Sequence, residues 1–356
     1  MTFLYIVIAI LILLVLITLH ELGHFIAGKL LHFKIDEFSV GIGPAILKKE
    51  KKDGTIISLR AIPLGGYCAF ASEDEVEVTR FSSPASASEA LDYIPFEKQP
   101  AYKRFIVLLS GALTNFLTAF IFTLVFILFS GYGIPVVNSV MTDSNGIKYN
   151  ESILEGDKII AVNGRDIHVD YSFSNAVESI NEGEHAIFTI DRNGDIINAE
   201  VEKKSIESDS GNYPGFGITL LYERNQVSFL DALIKTPSTT FQMVGAVFNS
   251  FGMLFSGQVS IRDISGPIGT IHYISEYAQT NWLYILLFLP LLSVNLAVFN
   301  ILPIPSLDGA RILFLLIEVI RRKPINKEIE SRINSIGLII LFLFIIMVDI
   351  VNLLLA

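Results

Sequence analysis

From Phe3 to Ala27 the chain is almost wholly apolar, and His20-Glu21-Leu22-Gly23-His24 lies inside that run. A stretch of this length is enough for a bilayer-spanning helix, which needs about 20 apolar residues. The ionisable side chains are what constrain the fold. A charged group at the centre of such a helix costs about 2.5–3.5 kcal/mol on insertion scales, so it persists where it serves a site. Helix positions i and i+4 share a face. His20 and His24 can therefore offer two imidazoles to one Zn²⁺, with Glu21 beside it. In H-E-x-x-H hydrolases the glutamate takes a proton from the attacking water and hands it to the leaving amine. The competing reading has the trio satisfied by neighbouring helices without a metal.

The remainder of the chain supports a membrane setting. It is 51% hydrophobic, with mean hydropathy +0.55, far more apolar than a soluble protein of 356 residues. Phe105–Phe129, Leu283–Leu302 and Leu338–Leu355 are further runs of spanning length. Phe229–Phe255 is interrupted by Lys235, Pro237, Gln242 and Asn249, and reads as an amphipathic helix lying on the membrane, with a fifth span as the alternative. The first run lacks the charged leading segment of a signal peptide, so it reads as a permanent helix. A lone cysteine, Cys68, excludes a disulfide framework and any multi-cysteine zinc site. A net charge of −10 argues against a nucleic-acid partner.

Charge distribution sets an expected orientation. Residues 28–104 carry eleven Lys/Arg, including Lys48, Lys49, Lys51 and Lys52, and the loop after Asp308 carries Arg321, Arg322, Lys323, Lys327 and Arg332. Residues 131–282 carry nine Lys/Arg against nineteen Asp/Glu. Four spans then alternate with both termini and 131–282 outside, and with 28–104 and 310–335 inside.

Two segments have strand texture. Ile187–Asp191 and Ile196–Glu202 flank Arg192-Asn193-Gly194-Asp195, a hairpin signal. Glu155-Gly156-Asp157-Lys158-Ile159-Ile160-Ala161-Val162-Asn163-Gly164 reads as turn, strand, turn, and resembles the core of PDZ domains, over roughly Val136–Leu221. In Lys29–Gln99, the strand-like Ile56–Ile62 leads into Pro63-Leu64-Gly65-Gly66-Tyr67, whose glycines allow close approach of another chain. Glu73–Asp92 reads as an acidic loop.

A catalytic zinc takes three protein ligands and keeps one position open. Asp308, in Asn300-Ile301-Leu302-Pro303-Ile304-Pro305-Ser306-Leu307-Asp308-Gly309, is the best third ligand. Two prolines break the apolar run just before it, and broken backbone at membrane depth is tolerated where it is buried or lines a cavity. The alternation of spans places Asp308 and His20 at similar depth. Asn115, Asn295 and Asn300 read as interhelical hydrogen-bonding groups, with Asn300 also placed to hold a substrate carbonyl. Asp349 reads as reaching the membrane interface.

H-E-L-G-H together with N-x-x-P-x-P-x-L-D-G is the pattern of the site-2 protease family of intramembrane zinc metalloproteases, which this chain resembles along nearly its whole length. Phe38–Pro44, Pro63–Tyr67, Arg104–Asn115 and Ser265–Gly269 resemble further family segments. The chain looks like the bacterial regulator-of-sigma-factor protease branch in a single-PDZ form. It departs at Gly111-Ala112, where the family has Gly-Pro, and at Gly309-Ala310, where it often has a second glycine.

The resemblance implies His20, His24 and Asp308 as ligands of Zn²⁺, Glu21 as catalytic base, Asn300 as a substrate-positioning group, and Gly65 and Gly66 on a membrane re-entrant hairpin that receives substrate. It implies a multi-pass protein of the bacterial inner membrane whose active site lies near the cytoplasmic side. Its PDZ-like domain would act outside as a size filter. The partners implied are single-span membrane proteins, anti-sigma factors or signal-peptide remnants among them, and membrane lipid.

The expected fold is a polytopic α-helical membrane protein of about four transmembrane helices. It carries an inserted extracytoplasmic β-rich PDZ-like domain and a cytoplasmic-side re-entrant β-hairpin. The expected boundaries are 1–135, 136–225, 226–282 and 283–356. The expected activity is intramembrane proteolysis. The opposing class is a non-catalytic PDZ-containing membrane adaptor with a structural or vacant metal site, against which Glu21 argues, since a structural site needs no base. An ion transporter using the intramembrane carboxylates is disfavoured by the soluble outer module and the lack of inverted repeats.

Overall fold

A computed structural model describes residues 2–71, 94–168, 172–207, 212–257 and 265–355. The acidic stretch Glu73–Asp92 lies outside the described residues. Four helices are long and apolar enough to cross a membrane: Phe3–Leu30, Ala101–Ser130, Leu283–Ile301 and Lys327–Asn352. The chain is a multi-pass membrane protein with a β-rich region between its second and third such helices.

The chain divides into two compact units, residues 1–122 with 243–356, and residues 123–242. In the first, α1 (Thr2–Leu30) leads into a hairpin of β1 (Ile35–Glu50) and β2 (Ile56–Phe70). Pairing in this hairpin folds back on itself. Phe38 is registered with both Ile57 and Cys68, Ser39 with both Ser58 and Tyr67, and Val40 with both Leu59 and Gly66. Lys49, on the far arm of β1, is also registered with Ile57. Residues 66–70 consequently form an edge of a four-segment sheet, and β2 packs against α1.

A single carboxylate ties this sheet together. Glu37 accepts hydrogen bonds from Ser58 Oγ, from Arg60 at 2.7 Å and from Tyr67 Oη at 2.8 Å. Burial works to raise the Glu37 pKa, but these donors outweigh it and hold the group below the ordinary carboxylate value.

In the second unit, the strands are β3 (Tyr132–Val140), β4 (Lys158–Val162), β5 (Arg165–Asp166), β6 (His185–Arg192), β7 (Asp195–Glu202), β8 (Lys204–Ile206), β9 (Tyr213–Gly215) and β10 (Ile218–Asn225), with a short helix α3 (Phe173–Glu178). That helix follows α2 (Ala101–Ser130) in chain order. The main sheet runs β10-β3-β4-β6-β7 with antiparallel neighbours, and β5 pairs β4. The expected hairpin is present: β6 and β7 close on Asn193 and Gly194, both at positive φ, as a tight two-residue turn requires. Phe188, Ile159, Ile190 and Ile153 are fully buried at its core.

The remaining helices are α4 (Phe229–Phe255), α5 (Pro267–Thr280), α6 (Leu283–Ile301), α7 (Asp308–Arg321) and α8 (Lys327–Leu355). Met243, Val244, Val247 and Phe251 of α4 pack on Ala119 of α2 and on Val294 and Val298 of α6. Ala9, Ile12 and Leu16 of α1 bury against Ile274 of α5 and the flank of α6. Asp349 has a partner that its sequence reading does not include. Its carboxylate accepts from the main-chain N–H groups of Ile268 and Gly269, at 3.4 and 3.3 Å, and so satisfies the first turn of α5.

Candidate metal centre

Three side chains converge where α1, α2 and the start of α7 meet. His20 and His24 lie one helical turn apart on α1 and are buried, at 8% and 7% exposure. Asp308 is the first residue of α7. Its Oδ2 lies 3.0 Å from His20 Nε2 and 3.1 Å from His24 Nε2, and the two nitrogens are 3.3 Å apart. A tetrahedral zinc with ligands at about 2.0–2.1 Å holds its donors roughly 3.3–3.4 Å apart. The donor triangle is thus close to the size one such ion requires, and its chemistry, two imidazoles and a carboxylate, suits zinc. Among the described residues it is the one His/Cys/Asp/Glu group with such spacing.

The His24 tautomer is set by its surroundings. Its Nδ1 lies 2.8 Å from the carbonyl of Val107. A carbonyl only accepts, so Nδ1 carries the proton and the Nε2 lone pair faces the centre. Helix α2 comes this close because Gly111 has no side chain. A β-carbon there would stand 2.6 Å from His20 Cε1 and 2.7 Å from His24 Cε1. The family departure at Ala112 leaves this glycine in place.

Asp308 is delivered by a broken segment. Helix α6 ends at Ile301, Pro303 and Pro305 prevent its continuation, and Ser306 takes a positive φ. Asn334 of α8 holds that turn: its Oδ1 accepts from the Ser306 main-chain N–H at 3.2 Å, and its carbonyl accepts from Ser306 Oγ at 2.6 Å. Farther along α7, Glu318 pairs with both terminal nitrogens of Arg104, at the start of α2. Neither Asn334 nor Glu318 stands out in the sequence, since each acts on a partner distant in the chain.

Glu21 is half-buried beside the triad and accepts a hydrogen bond from the main-chain N–H of Cys68 on the sheet edge. A β-carbon on Gly66 would lie 3.5 Å from Glu21 Cγ, so of the two glycines singled out, Gly66 adjoins the acid. Gly65 holds a φ of +114° just before it. Burial and the nearby negative charge of Glu21 push the Cys68 thiol up to about 12, an unreactive cysteine. Asn300 is half-buried near the end of α6.

The comparisons with known proteins follow this geometry. A protein of Fusobacterium nucleatum, provisionally named a zinc metalloprotease, is 33% identical over 98% of both chains. The zinc metalloprotease RasP of Geobacillus kaustophilus is 27% identical over 94% of both chains, and that of Shouchella clausii is 27% identical over 94% of this chain and 95% of its own. The model of peptidase family M50 matches residues 8–344, a span that begins before the histidines and continues past the aspartate that meets them, and the chain belongs to that family.

Proposed function

We propose that the protein is a zinc-dependent endopeptidase that cleaves membrane-spanning segments of other proteins. The observation that carries this reading is the convergence of His20, His24 and Asp308 beside Glu21, on a helix apolar enough to span the bilayer. His20, His24 and Asp308 are the zinc ligands in this reading and Glu21 is the general base. When bound, zinc supplies Lewis-acid polarisation of water and of the peptide carbonyl. Glu21 removes the proton of the attacking water and passes it to the departing amine. The Cys68 N–H holds the Glu21 carboxylate in place for both transfers.

The substrate helix must unwind first, because its peptide groups are shielded by their own hydrogen bonds. The edge at Gly65–Tyr67 offers strand pairing to the unwound segment, and Asn300 holds a substrate carbonyl. The basic loops support a reading with the hairpin and metal centre toward the cytoplasmic side and the β-rich region, read as PDZ-like, outside as a size filter. Single-span proteins such as anti-sigma factors or signal-peptide remnants are the substrate class.

The test compares wild type with Glu21→Gln in detergent, reading both bound zinc and cleavage of a tagged single-span substrate. The expected result is equal zinc and a cleavage rate lower by about 10²–10⁴-fold. Equal cleavage by both proteins would overturn the mechanism. Zinc retained by wild type without cleavage of any substrate in a panel would favour the adaptor.

A further inference from the structure

We infer that Asn115 is a positioning residue for His20: its side-chain carbonyl accepts the Nδ1–H of the imidazole and holds Nε2 toward the metal centre. This rests on the reading of His20 as a zinc ligand. Asn115 is fully buried in α2, its Nδ2 lies 3.4 Å from His20 Nδ1, and its Oδ1 is buried without a hydrogen-bond partner. One change gives the buried oxygen a partner. A half-turn of the carboxamide exchanges its oxygen and nitrogen, and the oxygen then faces Nδ1.

The two orientations have opposite consequences for His20. An amide N–H directed at Nδ1 requires a lone pair there, which puts the proton on Nε2 and closes that nitrogen to a metal. An amide oxygen directed at Nδ1 requires the proton there, which frees Nε2. Only the second gives His20 the tautomer that the Val107 carbonyl already imposes on His24. Val107, Gly111 and Asn115 are successive i, i+4 positions on one face of α2. That face therefore serves both imidazoles: an acceptor for His24, a gap where the rings pass, and an acceptor for His20.

The site is rigidly mounted. The main-chain carbonyl of Asn115 accepts from Ser293 Oγ of α6 at 2.7 Å and from Thr118 Oγ1 at 3.0 Å. Ser293 is itself fully buried, so the backbone from which the carboxamide projects is pinned between two helices.

Zinc affinity, measured by chelator competition on the purified full chain, tests the assignment, with thermal melting as the check on folding. Asn115→Leu keeps the volume without an acceptor and is expected to bind zinc about 10–100-fold more weakly, the usual effect of losing a ligand's outer partner. Asn115→Asp keeps an acceptor and is expected to stay close to wild type. Asn115→Ala carries the same expectation as the leucine variant and decides the matter if that variant does not fold. His20→Ala is the control for the underlying reading: zinc retained there would remove His20 from the ligand set. If His20→Ala loses zinc while the leucine or alanine variant binds as tightly as wild type, the ligand assignment stands and the role of Asn115 is overturned. A loss in the aspartate variant as large as in the leucine variant would overturn it as well.

Discussion

The main-chain N–H of Cys68 donates to the carboxylate of Glu21, which ties the edge of the β1–β2 sheet to the acid beside the metal centre. Tyr67, between Gly66 and Cys68, faces the other way in an alternating strand, and its hydroxyl is held by Glu37. Any shift of this edge therefore moves both the proposed base and the surface proposed to receive substrate.

Gly66→Val tests that coupling. A β-carbon there would meet the Ser39 carbonyl at 2.8 Å and lie 3.5 Å from Glu21 Cγ, and none of the three proposed metal donors is among its nearest neighbours. The expected outcome is unchanged zinc content with kcat/KM lower by about 10²-fold, the scale of a misplacement near 1 Å. Zinc analysis beside steady-state cleavage reads both. Parallel loss of zinc and activity would show that the hairpin supports the metal centre as well.

Gly111→Ala reaches the donors directly. The added methyl would fall among the His20 and His24 rings, so the histidines or α2 must move. Zinc affinity is expected to fall at least about 10-fold, on the scale of lost ligand support. Chelator competition on the folded variant measures it, and unchanged affinity would mean that α2 yields without disturbing the rings.

The contrast between these two glycines shows what was legible in the sequence. The H-E-x-x-H spacing and the proline-broken L-D-G segment predicted a meeting of His20, His24 and Asp308 because helical period and interrupted spans are visible in a single chain. Asn193-Gly194 marked its turn because only a few residue types accept positive φ. Gly111, by contrast, matters through what it leaves out, and Val107 acts through a carbonyl that every residue has. Asn115 read as an ordinary interhelical amide, and Asp349 as an interfacial acid, because their partners at His20 and at Ile268–Gly269 are 95 and about 80 residues away. The folded-back register of β1 was likewise hidden, since the same residues pair on two edges.

Arg104 and Glu318 give a prediction about stability. Both side chains are largely buried, the pair uses the two terminal nitrogens of Arg104, and Arg104 Nε is buried without a hydrogen-bond partner. Removing one member leaves the other charged and without its counter-ion. Glu318 keeps a quarter of its side chain exposed, so Glu318→Ala should destabilise by less than the roughly 3–5 kcal/mol of a fully buried pair. The double variant Arg104→Met with Glu318→Leu should recover most of that loss. Melting midpoints at one scan rate rank the three proteins, and a double variant no better than the single would show that the charges themselves are required.

The β-rich region carries its own pH dependence. Asp157 has 1% of its side chain exposed and is bound by Arg192 Nε at 2.8 Å and by a terminal nitrogen at 2.7 Å, with Leu154 N–H as a third donor. Burial alone would raise its pKa, but these donors outweigh it and depress the native value below that of the unfolded chain. A depressed carboxylate stabilises the fold above its unfolded pKa of about 3.9, and that contribution is lost as pH falls through the lower native value. Hydrogen-exchange protection of β4 and β6 in the full chain, corrected for intrinsic rates, should therefore weaken below about pH 4. Asp157→Asn should show weaker protection at neutral pH and a flatter acid response. An acid response equal to that of wild type would assign the dependence to other carboxylates.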